Sequence, residues 1–353
     1  MKILVLPGDG IGPEITQATL AVLNRANEKF KLGLEWDQRD IGLTTLKKVG
    51  STLPDDVMEA ARKAPGIILG PVDHLIYPSR EKGGINPSGE LRVKLDLFAN
   101  IRPAKSRMGV GLTGKPIDRV IFRECTEGFY ADRNIESGSS EMLVTPDVVI
   151  SLRRITRLCC ERIARSAFEL AMTRSKHVSI VHKANVLKIG DGMFIDICHE
   201  VGQAFPEVRV DDFIVDAMMA HVVRAPERFD VIVTTNMFGD ILSDLTAELS
   251  GSLGLGGSLN AGAHHAMGQA AHGSAPDIAG QNIANPLSLI LSAGMLLSWY
   301  GQRKGLKPFE AASAAIEQVA AAAVSAREAT RDVGGKLGTR ETGQAFAARL
   351  LAS

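Results

Sequence analysis

The sequence predicts an α/β protein in which short buried strands alternate with helices, and three observations carry that prediction. Brief β-branched runs recur between longer amphipathic stretches. Glycine is abundant, 35 of 353 residues, as tight strand-to-helix turns require. The apolar fraction of 45% over 353 residues is enough for two domains or one large α/β unit. The first strand is Ile3–Leu6, closed by Pro7-Gly8 and followed by a helical pattern from Pro13 to Phe30. Further strands are expected at Gly66–Leu69, Val120–Phe122, Val178–Val181 and Val231–Thr234. The Ala-rich segment Phe309–Ala329 reads as a helix, and the Gly-rich run Asp332–Gly338 as the loop that follows it. No repeat, low-complexity tail or charge block interrupts this rhythm.

Composition excludes several classes of function. With 40 Lys+Arg against 40 Asp+Glu, no electrostatic surplus is available for nucleic acid or an anionic membrane. Aromatic residues are sparse (12 Phe, 3 Tyr, 2 Trp), which argues against a base-stacking platform. Four cysteines, two adjacent at Cys159 and Cys160 and none in a C-x-x-C pair, suggest neither a disulfide framework nor a zinc site and point to a reducing cytoplasm. The apolar run Ile3–Leu6 is too short for a signal-peptide core, and Leu287–Trp299 is too short to span a bilayer.

Three local patterns carry chemistry. Gly8-Asp-Gly-Ile-Gly12 follows the first strand, but its third glycine comes one residue too early for the dinucleotide fingerprint and Pro13 starts the helix, so it reads as a structural turn. Asp240 and Asp244 stand at i and i+4 on a helix expected after the strand ending at Thr235, a spacing that puts two like charges on one face. A bound cation would relieve that repulsion; a solvated acid pair, with Asp240 favourably placed in the first turn, is the other reading. Arg92, Arg102 and Arg123 are planar forks that would suit a small di- or tricarboxylic acid if they converge, and ordinary surface salt bridges if they do not.

In order along the chain, Gly8-Asp-Gly-Ile-Gly-Pro-Glu14, Leu91–Lys105, Arg123-Glu-Cys-Thr-Glu-Gly-Phe-Tyr130, His182-Lys-Ala-Asn-Val-Leu187, Val215-Asp-Ala-Met218, Phe238-Gly-Asp-Ile-Leu-Ser-Asp244 and His272-Gly-Ser-Ala-Pro-Asp-Ile-Ala-Gly280 resemble the β-decarboxylating dehydrogenases. That family comprises the isopropylmalate, isocitrate, homoisocitrate and tartrate/D-malate enzymes. The resemblance implies an isopropylmalate/isocitrate dehydrogenase-like two-domain α/β fold, not a Rossmann fold. Residues 1–99 plus 253–353 would form a cofactor-side domain, and residues 100–252 a dimerisation and metal/substrate domain. It also implies a homodimer with shared active sites.

The resemblance assigns roles residue by residue. Asp240 and Asp244, joined by Asp216 of the second subunit, match the family's ligands to Mg2+ or Mn2+, hard ions that suit oxygen donors. By itself Asp216 would read as a helix N-cap. Lys183 matches the lysine that accepts the substrate's hydroxyl proton, and Tyr130 the tyrosine that reprotonates the enolate left by loss of CO2. Arg92, Arg102, Arg123 and Ser88 fall at substrate-binding positions. His272, Gly273, Ser274, Ala275, Asp277, Ile278 and Asn285 fall at cofactor positions. Asp277 would hold the adenosine ribose and repel a 2′-phosphate, so NAD is expected rather than NADP.

Two departures from the family's pattern bear on the substrate and on the cofactor. Before Arg92 the chain reads Asn86-Pro-Ser-Gly-Glu-Leu91, without the paired leucines that would meet an isopropyl group and without the arginine that would meet homoisocitrate's distal carboxylate; Asn86 and Ser88 could hydrogen-bond a polar substituent. Gln269-Ala270 replaces the family's usual Glu-Pro before the His-Gly loop, so different nicotinamide-side contacts are expected. The reading leans to 3-isopropylmalate-type chemistry on a 2-hydroxy di- or tricarboxylic acid, with isocitrate, homoisocitrate or tartrate/D-malate as alternatives. A catalytically silent regulatory subunit is the reading from another class, and the presence of Lys183, Tyr130 and all three acids weighs against it.

Overall fold

The computed structural model describes residues 1–107, 111–130 and 140–352. It divides into two units, one built from Met1–Leu95 with Gly251–Ser353 and the other from Asp96–Ser250.

In the first unit the strands run in the order Glu35–Gln38, Lys2–Leu6, Gly66–Leu69, Ala266–Gln269, Leu259–Ala261. All pairings are parallel except the last. Ile3 to Leu6 and Ile67 to Leu69 are inaccessible to solvent, as a parallel strand covered on both faces must be. Helix Gly12–Phe30 follows the first strand and takes Pro13 at its start, where the missing N–H costs nothing. The apolar stretch near the C-terminal end is a helix, Leu287–Lys304, buried along most of its length. Its serines act as backbone clamps: Ser288 Oγ donates to Gly256 O (2.6 Å) and accepts from Ala271 N (2.9 Å), and Ser292 Oγ accepts from Ser258 N (2.8 Å). The Ala-rich helix covers Lys307–Ser325, ending four residues before the expected Ala329. Among the described residues no helix is long and apolar enough to cross a membrane.

The Gly8–Gly12 turn is a packing device. Gly8 (φ 78°) and Gly10 (φ 56°) lie in the left-handed region, and a Cβ on them would stand 2.1 Å from Pro71 O and 2.0 Å from Ser274 O. Only glycine permits both the dihedral and the approach. Between them the buried Asp9 carboxylate accepts from Leu43 N (2.8 Å), Asp73 N (3.0 Å) and the Tyr77 hydroxyl, tying three segments together.

In the second unit the order is Ala99–Lys105, Asp118–Glu124, Val231–Thr234, His177–His182, Arg209–Ile214, with the first pairing antiparallel and the rest parallel. Ile163, Phe168, Phe194, Val178, Ile180 and Val233 form part of its core. Residues Glu141–Thr145 and Val148–Ser151 make a separate antiparallel hairpin in which every residue is exposed.

Candidate functional site

Strand geometry builds one cluster in the second unit. Arg123 pairs across the ladder with Asn100 on one side and Thr234 on the other. Asn100 and Arg102 are two residues apart on one strand and so share a face. Helix Asn236–Leu249 begins immediately after strand Val231–Thr234, and its Asp240 and Asp244 meet these arginines. Arg123 is 2% exposed; its Nε and Nη2 both donate to Asn236 Oδ1 (2.9 and 2.7 Å), while Nη1 donates to Asp240 Oδ1. Arg102 donates from Nε to Asn100 Oδ1 (2.8 Å) and from Nη1 to Ser243 Oγ (2.8 Å) and Asp244 Oδ1 (2.6 Å). The Tyr130 hydroxyl donates to Asp240 Oδ2, and the Arg123 guanidinium lies 5.3 Å from the Tyr130 ring centroid.

The two acids share a helix face as the i, i+4 spacing requires, and Arg102 reaches both of them. Asp240 is not in the first turn, which spans Asn236–Gly239, so its partner is the arginine pair and not the helix N-terminus. Burial, with Asp240 alongside, holds the Asp244 carboxyl above its ordinary range against the opposing pull of Arg102. Burial and the neighbouring Arg123 depress Arg102, which keeps its charge nonetheless.

Lys183 and Asp216 form a second, separate pair in the same unit, Nζ to Oδ1. Asp216 is not a cap: helix Val215–Arg224 is entered from Ile214, which supplies no side-chain cap, and the carboxylate is held below its usual range by the Lys183 hydrogen bond. Lys183 is placed by its own backbone N–H, which donates to Asp191 Oδ2 (2.6 Å), and Arg153 lies 2.6 Å from the other Asp191 oxygen.

The remaining predicted residues lie in the first unit. Ser88 and Arg92 belong to helix Pro87–Lys94, and both are buried. Pro87 takes the first helical position, and Asn86 is its N-cap, accepting from Gly89 N at 3.3 Å, so Asn86 is committed to the helix. Gln269 Oε1 accepts from Ser88 Oγ (3.0 Å) and Arg92 Nη2 (3.1 Å). Of the three arginines, Arg102 and Arg123 converge within one unit and Arg92 belongs to the other.

Residues 272–280 form an irregular loop around the short 3-10 turn Pro276–Ile278, with Ser274 buried and Ala275 at φ 38°. His272 Nδ1 contacts Gly273 O (3.0 Å), whereas its Nε2 is buried with no hydrogen-bond partner. Burial lowers the His272 pKa, so the ring is neutral at pH 7. A Cβ on Gly273 would meet open space, and the Asp277 carboxylate and Gly273 are exposed, whereas Ile278 is half-buried. Asn285 is partly engaged: Nδ2 donates to Asp332 Oδ2 (2.8 Å) and Oδ1 accepts from Leu287 N (3.0 Å).

The donors test what these places can hold. Asp240 and Asp244 offer only hard oxygens, which suits Mg2+ or Mn2+; among the described residues no group of three Asp, Glu, His or Cys side chains is placed to hold a metal ion. The orphaned His272 Nε2, the open Gly273 and the exposed Asp277 suit a polar ligand such as a dinucleotide. Asn236, Asn100, Ser243 and Asp191, which orient these groups, had no assigned role in the sequence, and Gln269 stood out there only as a departure from the family's usual glutamate. Asn236 and Asn100 lie within or beside the recognised blocks, and that proximity was their only signal.

Fold and cluster together define a two-unit α/β protein whose strands are mainly parallel. The chain belongs to the isocitrate/isopropylmalate dehydrogenase family, which it matches over residues 2–346. It is 40% identical over 341 residues to 3-isopropylmalate dehydrogenase of Archaeoglobus fulgidus, covering 96% of each chain. It is 42% identical over 314 residues to isocitrate/homoisocitrate dehydrogenase of Thermus thermophilus, covering 88% of this chain and 89% of that one. The crystal structure of isocitrate dehydrogenase from Methylococcus capsulatus superposes with a TM-score of 0.86 at 36% identity, covering 99% of both chains.

Proposed function

We propose that the protein catalyses the NAD-dependent oxidative decarboxylation of a 3-substituted malate. The observation that carries the reading is the convergence of Arg102, Arg123, Tyr130, Asp240 and Asp244 in one cluster, a set able to bind an anionic substrate and move a proton. Arg102 and Arg123 are pre-oriented by Asn100, Ser243 and Asn236, so their forks bind substrate carboxylates with little further ordering. Lys183 takes the C2 hydroxyl proton at Nζ, a step that requires Nζ to leave Asp216 and to be the neutral amine, since an ammonium has no lone pair. Once C2 has given up its hydride to the acceptor that NAD would supply and is a ketone, loss of the C3 carboxylate as CO2 leaves its bond electrons in an enolate, and the Tyr130 hydroxyl returns a proton to C3.

Asp240 and Asp244, with Asp216 of a second copy, would hold Mg2+ or Mn2+, which supplies positive charge beside the substrate oxygens. His272, Gly273, Ser274, Ala275, Asp277, Ile278 and Asn285 would hold NAD, which supplies the hydride acceptor. A homodimer with shared sites is supported by the hairpin, whose Leu143 and Val149 are 70% and 59% exposed. A two-stranded hairpin with no covered face is marginal alone, and a second copy would cover it. Four buried cysteines, none of them in a disulfide, suit a reducing cytoplasm.

Among substrates, the sequence leans to 3-isopropylmalate. The Ser88–Gln269 contact favours a second reading, a malate whose C3 substituent carries oxygen, as in isocitrate or homoisocitrate. Purified protein, dialysed and assayed with 3-isopropylmalate, isocitrate, homoisocitrate, tartrate and D-malate, each with NAD or NADP and Mg2+ or Mn2+, tests the proposal. Turnover with an NAD preference of at least about a hundredfold is expected. No turnover under any combination would refute it in favour of a silent subunit.

A further inference from the structure

Arg153 follows the strand Val148–Ser151, and its side chain is 10% exposed. One guanidinium there touches three segments of the second unit. Its Nη2 lies 2.6 Å from Asp191 Oδ1 and donates to Thr235 Oγ1 at 3.3 Å, and its central carbon lies 5.3 Å from the Phe129 ring centroid and 5.8 Å from that of Phe238. Gly190 admits it, since a Cβ there would stand 3.2 Å from Nη1. Each contact adjoins a residue of the proposed chemistry. Asp191 Oδ2 accepts the backbone N–H of Lys183. Thr235 starts helix Asn236–Leu249 and directly precedes Asn236, the acceptor of the Arg123 fork. Phe129 precedes Tyr130, and Phe238 lies two residues before Asp240. Asp191 is inaccessible to solvent and its Oδ1 receives no hydrogen bond, so the Arg153 charge is what answers it.

We propose that Arg153 is a positioning residue, which braces the segments bearing Lys183, Tyr130 and Asp240 against one another and so sets the rate of turnover. The inference rests on the reading of function above and goes beyond it. With the Lys183 main chain fixed by Asp191, and Asp191 by Arg153, the departure of Nζ from Asp216 is a side-chain rotation and not a loop movement. With Phe129 and Phe238 on the same guanidinium, Tyr130 and Asp240 keep their spacing. In shared sites the Lys183 and Tyr130 of one chain serve different sites, so each site depends on Arg153 of both copies. The role needs a planar fork. A lysine ammonium is a point charge that can stay opposite Asp191, but it cannot also reach Thr235 and present a flat face to two rings. Misplacing a reacting group by about 1 Å can cost about a hundredfold in rate.

The test compares wild-type protein with Arg153→Lys and with the double variant Arg153→Met/Asp191→Asn. The double variant removes both charges, so no buried carboxylate is left unanswered, and it keeps an acceptor for the Lys183 N–H. Each is assayed on the malate that wild type turns over best, with NAD and Mn2+ in excess. The thermal midpoint should stay near wild type in both, and KM for the malate within about threefold, while kcat falls at least about tenfold in Arg153→Lys and about a hundredfold in the double variant. Amide hydrogen exchange supplies a readout independent of turnover: it should quicken in peptides covering residues 182–191 and 235–240 and stay at the wild-type rate in strand Asp118–Glu124. A kcat within about threefold of wild type in both variants would overturn the proposal. So would a joint loss of kcat, KM and thermal midpoint with exchange quickened throughout the unit, the mark of a residue that only holds the fold. No turnover of any malate by wild type would overturn the reading of function and with it the effect on rate, whereas localised exchange would still assign Arg153 to these segments.

Discussion

Replacing Gly239 with alanine sets two effects of opposite sign against each other. Gly239 lies in the first turn of helix Asn236–Leu249, where alanine is favoured by about 1 kcal/mol on helix propensity alone. A Cβ built there, however, would stand 2.7 Å from both Cβ and Cγ of Arg123 and 3.1 Å from Thr234 Cγ2. Those are the root of the arginine side chain, not its flexible end, and the far end is pinned by Asn236 and Asp240. Overpacking of this kind costs about 1–3 kcal/mol, and moving Arg123 aside instead would sacrifice charge-assisted hydrogen bonds worth about 1.5–3 kcal/mol. After the propensity gain is subtracted, Gly239→Ala should be destabilising by about 1 kcal/mol. Because Arg123 is proposed to bind substrate, kcat/KM should also fall by about tenfold or more. Urea unfolding at one fixed protein concentration reads the first quantity and steady-state kinetics the second. A variant stabilised by about 1 kcal/mol with unchanged kcat/KM would show that Arg123 is not locked against this helix.

Asp244→Asn should lower activity by orders of magnitude while circular dichroism and thermal midpoint stay near wild type, since the side chain is 52% exposed and its pair with Arg102 contributes at most about 1 kcal/mol to the fold. Full turnover in excess EDTA would sink the metal role. Mixing inactive Lys183→Ala subunits with inactive Tyr130→Phe subunits should restore activity as hybrids form, because the two residues belong to separate pairs in one chain and the proposed site takes one from each copy. Demonstrated exchange without recovery would refute shared sites. Burial pushes the thiols of Cys159 and Cys160 up to about 11 and about 12. A raised thiol pKa removes thiolate at a given pH, so at pH 8 Cys159 should be about one part in a thousand ionised, against about one in four for a free cysteine. A disulfide reagent should therefore react slowly with native protein and with all four cysteines on unfolding; a fast stoichiometric reaction of the native state would contradict the burial.

What the sequence determined by itself was local or patterned. Buried strands announce themselves as β-branched runs, and Ile3–Leu6, Gly66–Leu69 and Val231–Thr234 lie inside or on the strands found. The one-residue shortfall in the Gly8–Gly12 spacing correctly excluded a phosphate-cradling turn of Rossmann type, because a glycine's position along the chain is readable without knowing what it touches. Helical spacing likewise put Asp240 and Asp244 on one face.

Tertiary structure decided which partners those residues meet. Arg123 finds Asn236 across 113 residues, Arg102 finds Asp244 across 142, and Ser88 finds Gln269 across 181. No periodicity encodes such pairings, since they depend on strand order and on which helix crosses which sheet edge. The same limit explains why Asn86, which could meet a substituent on sequence grounds, is found capping a helix, and why Asp216, a cap when read alone and a metal ligand by resemblance, is found beside Lys183. A short polar side chain beside a helix start satisfies either role chemically, and only the position of its neighbours chooses between them.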